Sequence, residues 1–182
     1  GAGKSTLLCN GVEAWEREGY TVRGAALSAI AARDLGEGCG IASQTLHSLL
    51  ASLERSNTLN SRTVLIVDEA GLIGSRQMAD LLARADEAGA KVVLSGDPQQ
   101  LQAIDAGGAF RAIAERTGAS ELHTVRRQRE AWQAAATKEL ARGEVSLALA
   151  RYHESGAIHA HSDQQSAAAA CVAAWAATRE AA

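Results

Sequence analysis

The sequence predicts an α/β fold: a parallel β-sheet flanked by helices, followed by a mostly helical second part. Three observations predict it. Short apolar runs recur at 20–27, 63–70 and 91–97, the middle one β-branched. Between them lie longer stretches whose apolar residues fall three or four positions apart, which is helical spacing. Strands alternating with helices need crossover connections, and these make neighbouring strands parallel. Past residue 120 the alternation stops and nearly all segments read as helix. A boundary near 118–124 therefore divides the chain into 1–120 and 121–182.

The elements follow in order. Residues 5–18 set Leu7, Leu8, Val12 and Trp15 on one side of a helix that Gly19 ends. YTVRGAAL (20–27) is a buried strand. SAIAARDL (28–35) is a helix closed by Gly36, with GEGCG (36–40) as a loop. SQTLHSLLASLE (43–54) is helical, and NTLN (57–60) is a turn. TVLIVDEA (63–70) is a strand ending in two carboxylates. SRQMADLLARADEAG (75–89) is an amphipathic helix with a glycine stop. KVVLSGD (91–97) is a strand, Pro98 lies in the loop after it, and 106–117 is a helix. GAIHAH (156–161) is the one strand-like piece of the second part.

Bulk properties narrow the function. A 47% hydrophobic content is enough to build a core. The net charge of −3 leaves no overall basic footprint, so contact with nucleic acid must rest on local patches. Cys9, Cys39 and Cys171 lack metal-ligand spacing and read as small buried residues in a reducing, cytoplasmic compartment. The alanine-rich end carries Arg179 and Glu180 and is too weakly apolar for a membrane span.

Three stretches carry chemistry. In GAGKST, Gly3-Lys4-Ser5 fill the last three positions of the phosphate-loop pattern G-x-x-x-x-G-K-[ST]. Gly1, Ala2 and Gly3 are small enough for backbone N–H groups to turn around an anion, and the helix that follows aims its positive end at the same place. Lys4 reaches the β- and γ-phosphates and the Ser5 hydroxyl ligates Mg²⁺; Thr6 is the next residue and a poorer metal ligand. The first glycine of the pattern and the strand that delivers the loop would precede Gly1, so the chain reads as a fragment of a longer protein. A Gly-Lys-Ser triplet alone is common, and its weight comes from VLIVDEA. Alone, an apolar strand ending in Asp68-Glu69 would read as a solvated acidic strand end; after a Gly-Lys-Ser loop in an alternating β/α frame it looks like a Walker B element, in which Asp68 would hold the Mg²⁺ shell and Glu69 would orient and deprotonate the attacking water. The third stretch, VVLSGDPQQ, sets Gly96, Asp97, Gln99 and Gln100 in a loop after a strand, where a polar side chain can sense the γ-phosphate. Together they predict a P-loop NTPase using ATP and Mg²⁺.

GAGKST, VLIVDEAGLIGSRQM, KVVLSGDPQQLQAIDAGGAFRAI and ELHTVRRQREAWQ together resemble the helicase part of conjugative transfer relaxases of the TraA/MobA type, which are RecD-like superfamily 1B DNA helicases. The resemblance covers nearly the whole chain and is densest from 63 to 133. It implies a RecA-like ATPase domain over 1–120, lacking its first strand, and the start of a second RecA-like domain over 121–182. It implies 5′→3′ movement on single-stranded DNA, the plasmid transfer strand, with the conjugation machinery met through regions outside this chain. GAALSAIAARDL (24–35) resembles the DNA-contacting motif Ia, and SQTLHSLL (43–50) resembles the Thr-x-His segment. Gln100 matches the glutamine that senses the γ-phosphate, and Arg127 matches the arginine that reaches the nucleotide from the second domain. The C-terminal motifs V and VI and the nicking domain have no counterpart here.

Plainer readings stand beside these. A packed or hydrogen-bonded histidine accounts for His47 equally well. Arg126 and Arg129, beside Arg127, read as a solvated helix start. His159 and His161 would share a strand face but lack a third metal ligand. Trp15, Trp132 and Trp175 read as packing residues. The rival functions are a small-molecule phosphotransferase, a RecD-type repair or exonuclease helicase, and a non-catalytic nucleotide-binding remnant.

Overall fold

The computed structural model describes residues 4–56, 58–97, 108–122, 128 and 130–180. The chain divides into two compact units, Gly1–Arg126 and Arg127–Ala182.

The first unit is a three-layer α/β sandwich. Its elements are α1 (Lys4–Arg17), β1 (Thr21–Ala26), α2 (Ala29–Cys39), β2 (Ala42–Thr45), α3 (Leu46–Arg55), β3 (Thr63–Val67), α4 (Ser75–Glu87), β4 (Lys91–Leu94) and α5 (Ala109–Thr117). The four strands form one parallel sheet in the order β2-β1-β3-β4. Strand β3 is central because TVLIV offers an apolar side chain to both faces, and all five residues are buried. Alternation along it separates two clusters. Val64 and Ile66 pack with Val22, with Leu8 and Val12 of α1, and with Leu35 of α2. Leu65 and Val67 pack with Leu46, Leu49 and Leu53 of α3, and with Met78, Leu81 and Ala85 of α4. Each fully buried leucine contributes about 1.5–3 kcal/mol. The alternating pattern predicted from sequence is therefore present as a parallel sheet with helices on both faces.

Four local expectations change. SQT is not the start of a helix: Ala42–Thr45 is strand β2, paired with β1 from Arg23↔Ala42 to Ala26↔Thr45. The Thr45 hydroxyl then caps α3 by accepting a hydrogen bond from the Ser48 amide. Gly36 does not end α2. The helix runs through Gly36 and Gly38 and stops at Gly40, which takes the left-handed conformation at φ 68°. A Cβ on Gly36 would stand 3.1 Å from the Ile41 carbonyl oxygen and 3.2 Å from Ser43 Cβ, so this glycine serves close packing of the helix on β2. GAIHAH forms no strand, so His159 and His161 share no strand face. Finally, Cys9 and Cys39 are joined to each other, and Cys171 is exposed rather than buried.

The second unit contains α6 (Ala131–Ala141), α7 (Val145–Glu154) and α8 (Gln164–Glu180). Helices α6 and α7 form a hairpin whose turn contains Gly143 at φ 78°. Trp132 meets Tyr152 edge to face at 5.2 Å, confirming Trp132 as a packing residue, and Arg151 Nε donates to both oxygens of the buried Glu139 at 2.7 and 2.9 Å. Among the described residues no helix is long and apolar enough to cross a membrane.

Candidate nucleotide site

The candidate site lies at the carboxyl edge of the first unit's sheet. Helix α1 leads through the Gly19 turn into β1, so it runs antiparallel to the strands and its first turn is directed toward the carboxyl edge. That turn holds Lys4, half-buried, with Ser5 and Thr6 exposed. Gly1, Ala2 and Gly3 lie outside the described residues, as do Gln100 and Arg127.

Asp68 and Glu69 leave the same edge. The ladder persists one step past β3: the Asp68 amide donates to the Ala25 carbonyl at 2.9 Å, and the Ser95 amide donates to Val67 at 2.8 Å. Asp68 is half-buried, and its Oδ1 accepts from the Glu69 amide at 2.9 Å. Alternation puts its side chain on the face of Val64 and Ile66, which is the face covered by α1. Glu69 then breaks the strand. It adopts the left-handed conformation at φ 54° and ψ 35°, the one non-glycine residue with positive φ among the described residues. A left-handed residue with a Cβ costs about 1–2 kcal/mol, and such outliers cluster at functional positions. The turn frees the Glu69 side chain into solvent with no hydrogen-bonding partner among the described residues. Among those residues Lys4 makes no ion pair with Asp68 or Glu69.

The end of β4 is fastened to this turn. The Ala70 amide donates to the Ser95 carbonyl at 2.8 Å. A Cβ on Gly71 would lie 3.1 Å from the Asp97 carbonyl oxygen, and one on Gly96 would lie 3.0 Å from both the Gly71 nitrogen and Phe110 Cε1. The Gly96-Asp97 backbone therefore rests directly on the residues after Glu69, with Phe110 of α5 behind it. Ser95 was not singled out from the sequence. It is 8% exposed, and its hydroxyl has no hydrogen-bonding partner among the described residues. The register Val67↔Leu94 makes it the cross-strand neighbour of Asp68, on the α1 face. The signal was a polar residue ending the apolar run VVL (92–94), immediately before Gly-Asp.

The donor set suits a hard divalent cation, since a hydroxyl at a helix start and a carboxylate oxygen are the oxygens Mg²⁺ takes when phosphates and water complete its shell. A shallow cleft lined by Leu82, Ala85, Asp86, Ala90 and Val92 lies by the amino end of β4, away from these groups. His47 is exposed on the first turn of α3.

Comparison with known proteins agrees with this geometry. A family described as an AAA domain matches residues 1–163. The chain is 50% identical over 157 residues to a probable conjugal transfer protein TraA of Sinorhizobium fredii, covering 86% of this chain and 14% of that protein. It is 48% identical over 159 residues to the conjugal transfer protein TraA of Agrobacterium fabrum, covering 87% of this chain and 14% of the relative. It is 38% identical over 133 residues to the ATP-dependent RecD2 DNA helicase of Deinococcus radiodurans, covering 70% of this chain and 18% of the relative. The chain thus spans about one seventh of the length of its TraA relatives. With a parallel sheet, a lysine-bearing helix start and an acidic pair on the central strand, the chain belongs to the AAA domain family.

Proposed function

We propose that this chain is the nucleotide-binding and hydrolysing part of a superfamily 1 DNA helicase of the conjugative relaxase type. The observation that carries the reading is the acidic pair at the end of β3, with Asp68 on the α1 face and Glu69 turned out of the strand by its left-handed backbone. The higher identity to TraA proteins than to RecD2 favours a conjugative parent over a repair helicase.

In this reading the first turn of α1 receives the phosphates of ATP. Lys4 supplies positive charge beside them, and the helix start supplies backbone donors. Ser5 and Asp68 would hold Mg²⁺, which offsets phosphate charge when bound. Glu69 accepts the proton of the attacking water at its carboxylate. Gln100 would sense the γ-phosphate, and Arg127 would stabilise the transferring phosphoryl group; both assignments come from the family resemblance. Residues 1–120 then correspond to the first RecA-like domain and 121–182 to the start of the second. Loss of a transition-state arginine costs about 10³–10⁵ in rate in well-studied NTPases. The isolated chain, with at most one such arginine, is expected to bind nucleotide weakly and turn it over slowly or not at all. In the longer parent, turnover would drive 5′→3′ movement on the single strand being transferred.

Titration of the purified chain with a fluorescent ATP analogue tests this directly. Binding should require Mg²⁺ and be lost in Lys4→Ala. In the longer parent, Glu69→Gln should bind ATP and fail to hydrolyse it. Rapid DNA-stimulated turnover by the 182-residue chain would overturn the fragment part of the reading, and wild-type hydrolysis by Glu69→Gln would overturn the general base.

A further inference from the structure

Cys9 lies in the second turn of α1 and Cys39 is the last residue of α2. Their positions, 30 residues apart in sequence, come together because both helices cover the same sheet face, where Leu8 and Val12 meet Leu35 and Ile41. The left-handed Gly40 ends α2 at the level where Cys39 faces α1. The two Cα atoms are 4.6 Å apart, within the range a disulfide spans, and the sulfurs are joined. Cys39 Sγ also stands 3.9 Å from the carbonyl oxygen of Ser5, and Cys9 Sγ stands 3.3 Å from that of Gly38. The bridge therefore lies against the backbone of the turn that bears Lys4 and Ser5. Both cysteines are only half-buried, so a small oxidant can reach them.

We propose that Cys9 and Cys39 form a reversible oxidation site that fastens the first turns of α1 to the end of α2. The oxidant class is a low-molecular-weight disulfide such as oxidised glutathione. One cysteine sulfur attacks that disulfide, forming a mixed disulfide and releasing one glutathione thiol. The second cysteine sulfur displaces the remaining glutathione. Two cysteine S–H bonds and one glutathione S–S bond become one protein S–S bond and two glutathione S–H bonds, and glutathione gains the two electrons and two protons. Excess thiol reverses the exchange. Disulfides that persist only transiently are the usual form in reducing compartments, which is compatible with a reversible site. Cys171, exposed on α8, is an internal reference with no partner cysteine. The effect on nucleotide rests on the proposed function: the bridge holds the backbone of the phosphate-binding turn, so its reduction should weaken Mg²⁺·ATP binding several-fold.

The 182-residue chain is equilibrated across a series of reduced and oxidised glutathione, quenched in acid, alkylated and mapped by mass spectrometry. Cys9 and Cys39 should lose alkylation together and appear as one linked peptide pair, while Cys171 takes up glutathione singly. The melting temperature should rise on the order of 10 °C on oxidation, as expected for closing a loop of this length in a chain of this size. Cys9→Ser should leave Cys39 singly glutathionylated, like Cys171. Independent alkylation of Cys9 and Cys39 to the same extent as Cys171 throughout the series would overturn the site. Linkage with equal affinity for a fluorescent ATP analogue in both forms would overturn the clamp. Linkage with no analogue bound by either form would overturn the nucleotide reading while upholding the oxidation site.

Discussion

Glu69 gives the sharpest test of how the fold serves the chemistry. Its backbone is left-handed, and its exposed side chain makes no hydrogen bond among the described residues. Stability therefore loses nothing when the side chain is removed, and the Cβ is what the conformation penalises. A non-glycine residue at this φ costs about 1–2 kcal/mol. Glycine removes that cost but adds about 0.5–1 kcal/mol of backbone entropy lost on folding. Glu69→Gly should therefore leave stability unchanged or raise it, by up to about 1.5 kcal/mol. Glu69→Ala keeps the Cβ and should stay within about 0.5 kcal/mol of wild type. Urea denaturation followed by circular dichroism measures both, with the midpoint moving and the slope constant. In the longer parent both variants should bind ATP and fail to hydrolyse it. A Glu69→Gly protein less stable than Glu69→Ala would refute the reasoning, because the backbone would then not be strained and the side chain would be contributing to the fold.

Three further outcomes follow from packing and charge. Gly24→Ala on β1 would put a Cβ 2.7 Å from Ser43 Oγ and 2.9 Å from Leu35 Cδ2, so it should lower urea stability by about 1–3 kcal/mol. Glu139→Gln leaves Arg151 without its charged acceptor, and should cost the α6–α7 hairpin about 1.5–3 kcal/mol, read as faster amide hydrogen exchange in those helices. Asp163 caps α8: its Oδ1 accepts from the Ser166 amide at 2.7 Å, chiefly that bond and then the Ser166 and Ser162 hydroxyls holding its carboxyl below the ordinary 3.8. The folded carboxyl is the stronger acid, so the cap is complete above 3.8 and is lost as pH falls through the lowered value; hydrogen exchange in the first turn of α8 should quicken there, and Asp163→Asn should blunt the change.

What could be read in the sequence was what local chemistry alone determines. TVLIV is apolar on both faces and is a central strand wherever it is placed, and the carboxylates after it must emerge at the strand's end. The helix over 75–87 shows its buried stripe, Met78, Leu81 and Ala85, at helical spacing. Strand β2 was hidden because ASQT has no apolar alternation; its pairing is made through the backbone with the edge of β1, and only the folded neighbour reveals it. The run past Gly36 was hidden for a related reason. A glycine stop and a glycine of close approach look the same in sequence, and Gly36 is the second kind. Pairing of Cys9 with Cys39 depends on two helices sharing a sheet face, which spacing along the chain does not encode.

The polar residues at the ends of β3 and β4 gain their meaning from one another. Separately, Asp68-Glu69 is an acidic strand end and Ser95-Gly96-Asp97 a polar turn. In the fold the Ser95 amide and carbonyl bridge Val67 and Ala70, so they bracket the acidic pair from both sides. The absent side chain of Gly96 lets its backbone lie against Gly71, two residues past Glu69, and Phe110 closes the space behind. A displacement of the Gly96-Asp97 segment therefore cannot leave the Glu69 turn where it was, since backbone meets backbone there with no flexible side chain between them. Under the proposed function, this contact is the route by which a change at the end of β4 would alter the surroundings of Glu69 after β3. The buried hydroxyl of Ser95, without a hydrogen-bonding partner among the described residues and beside Asp68 in the ladder, is the polar group that lies at that contact.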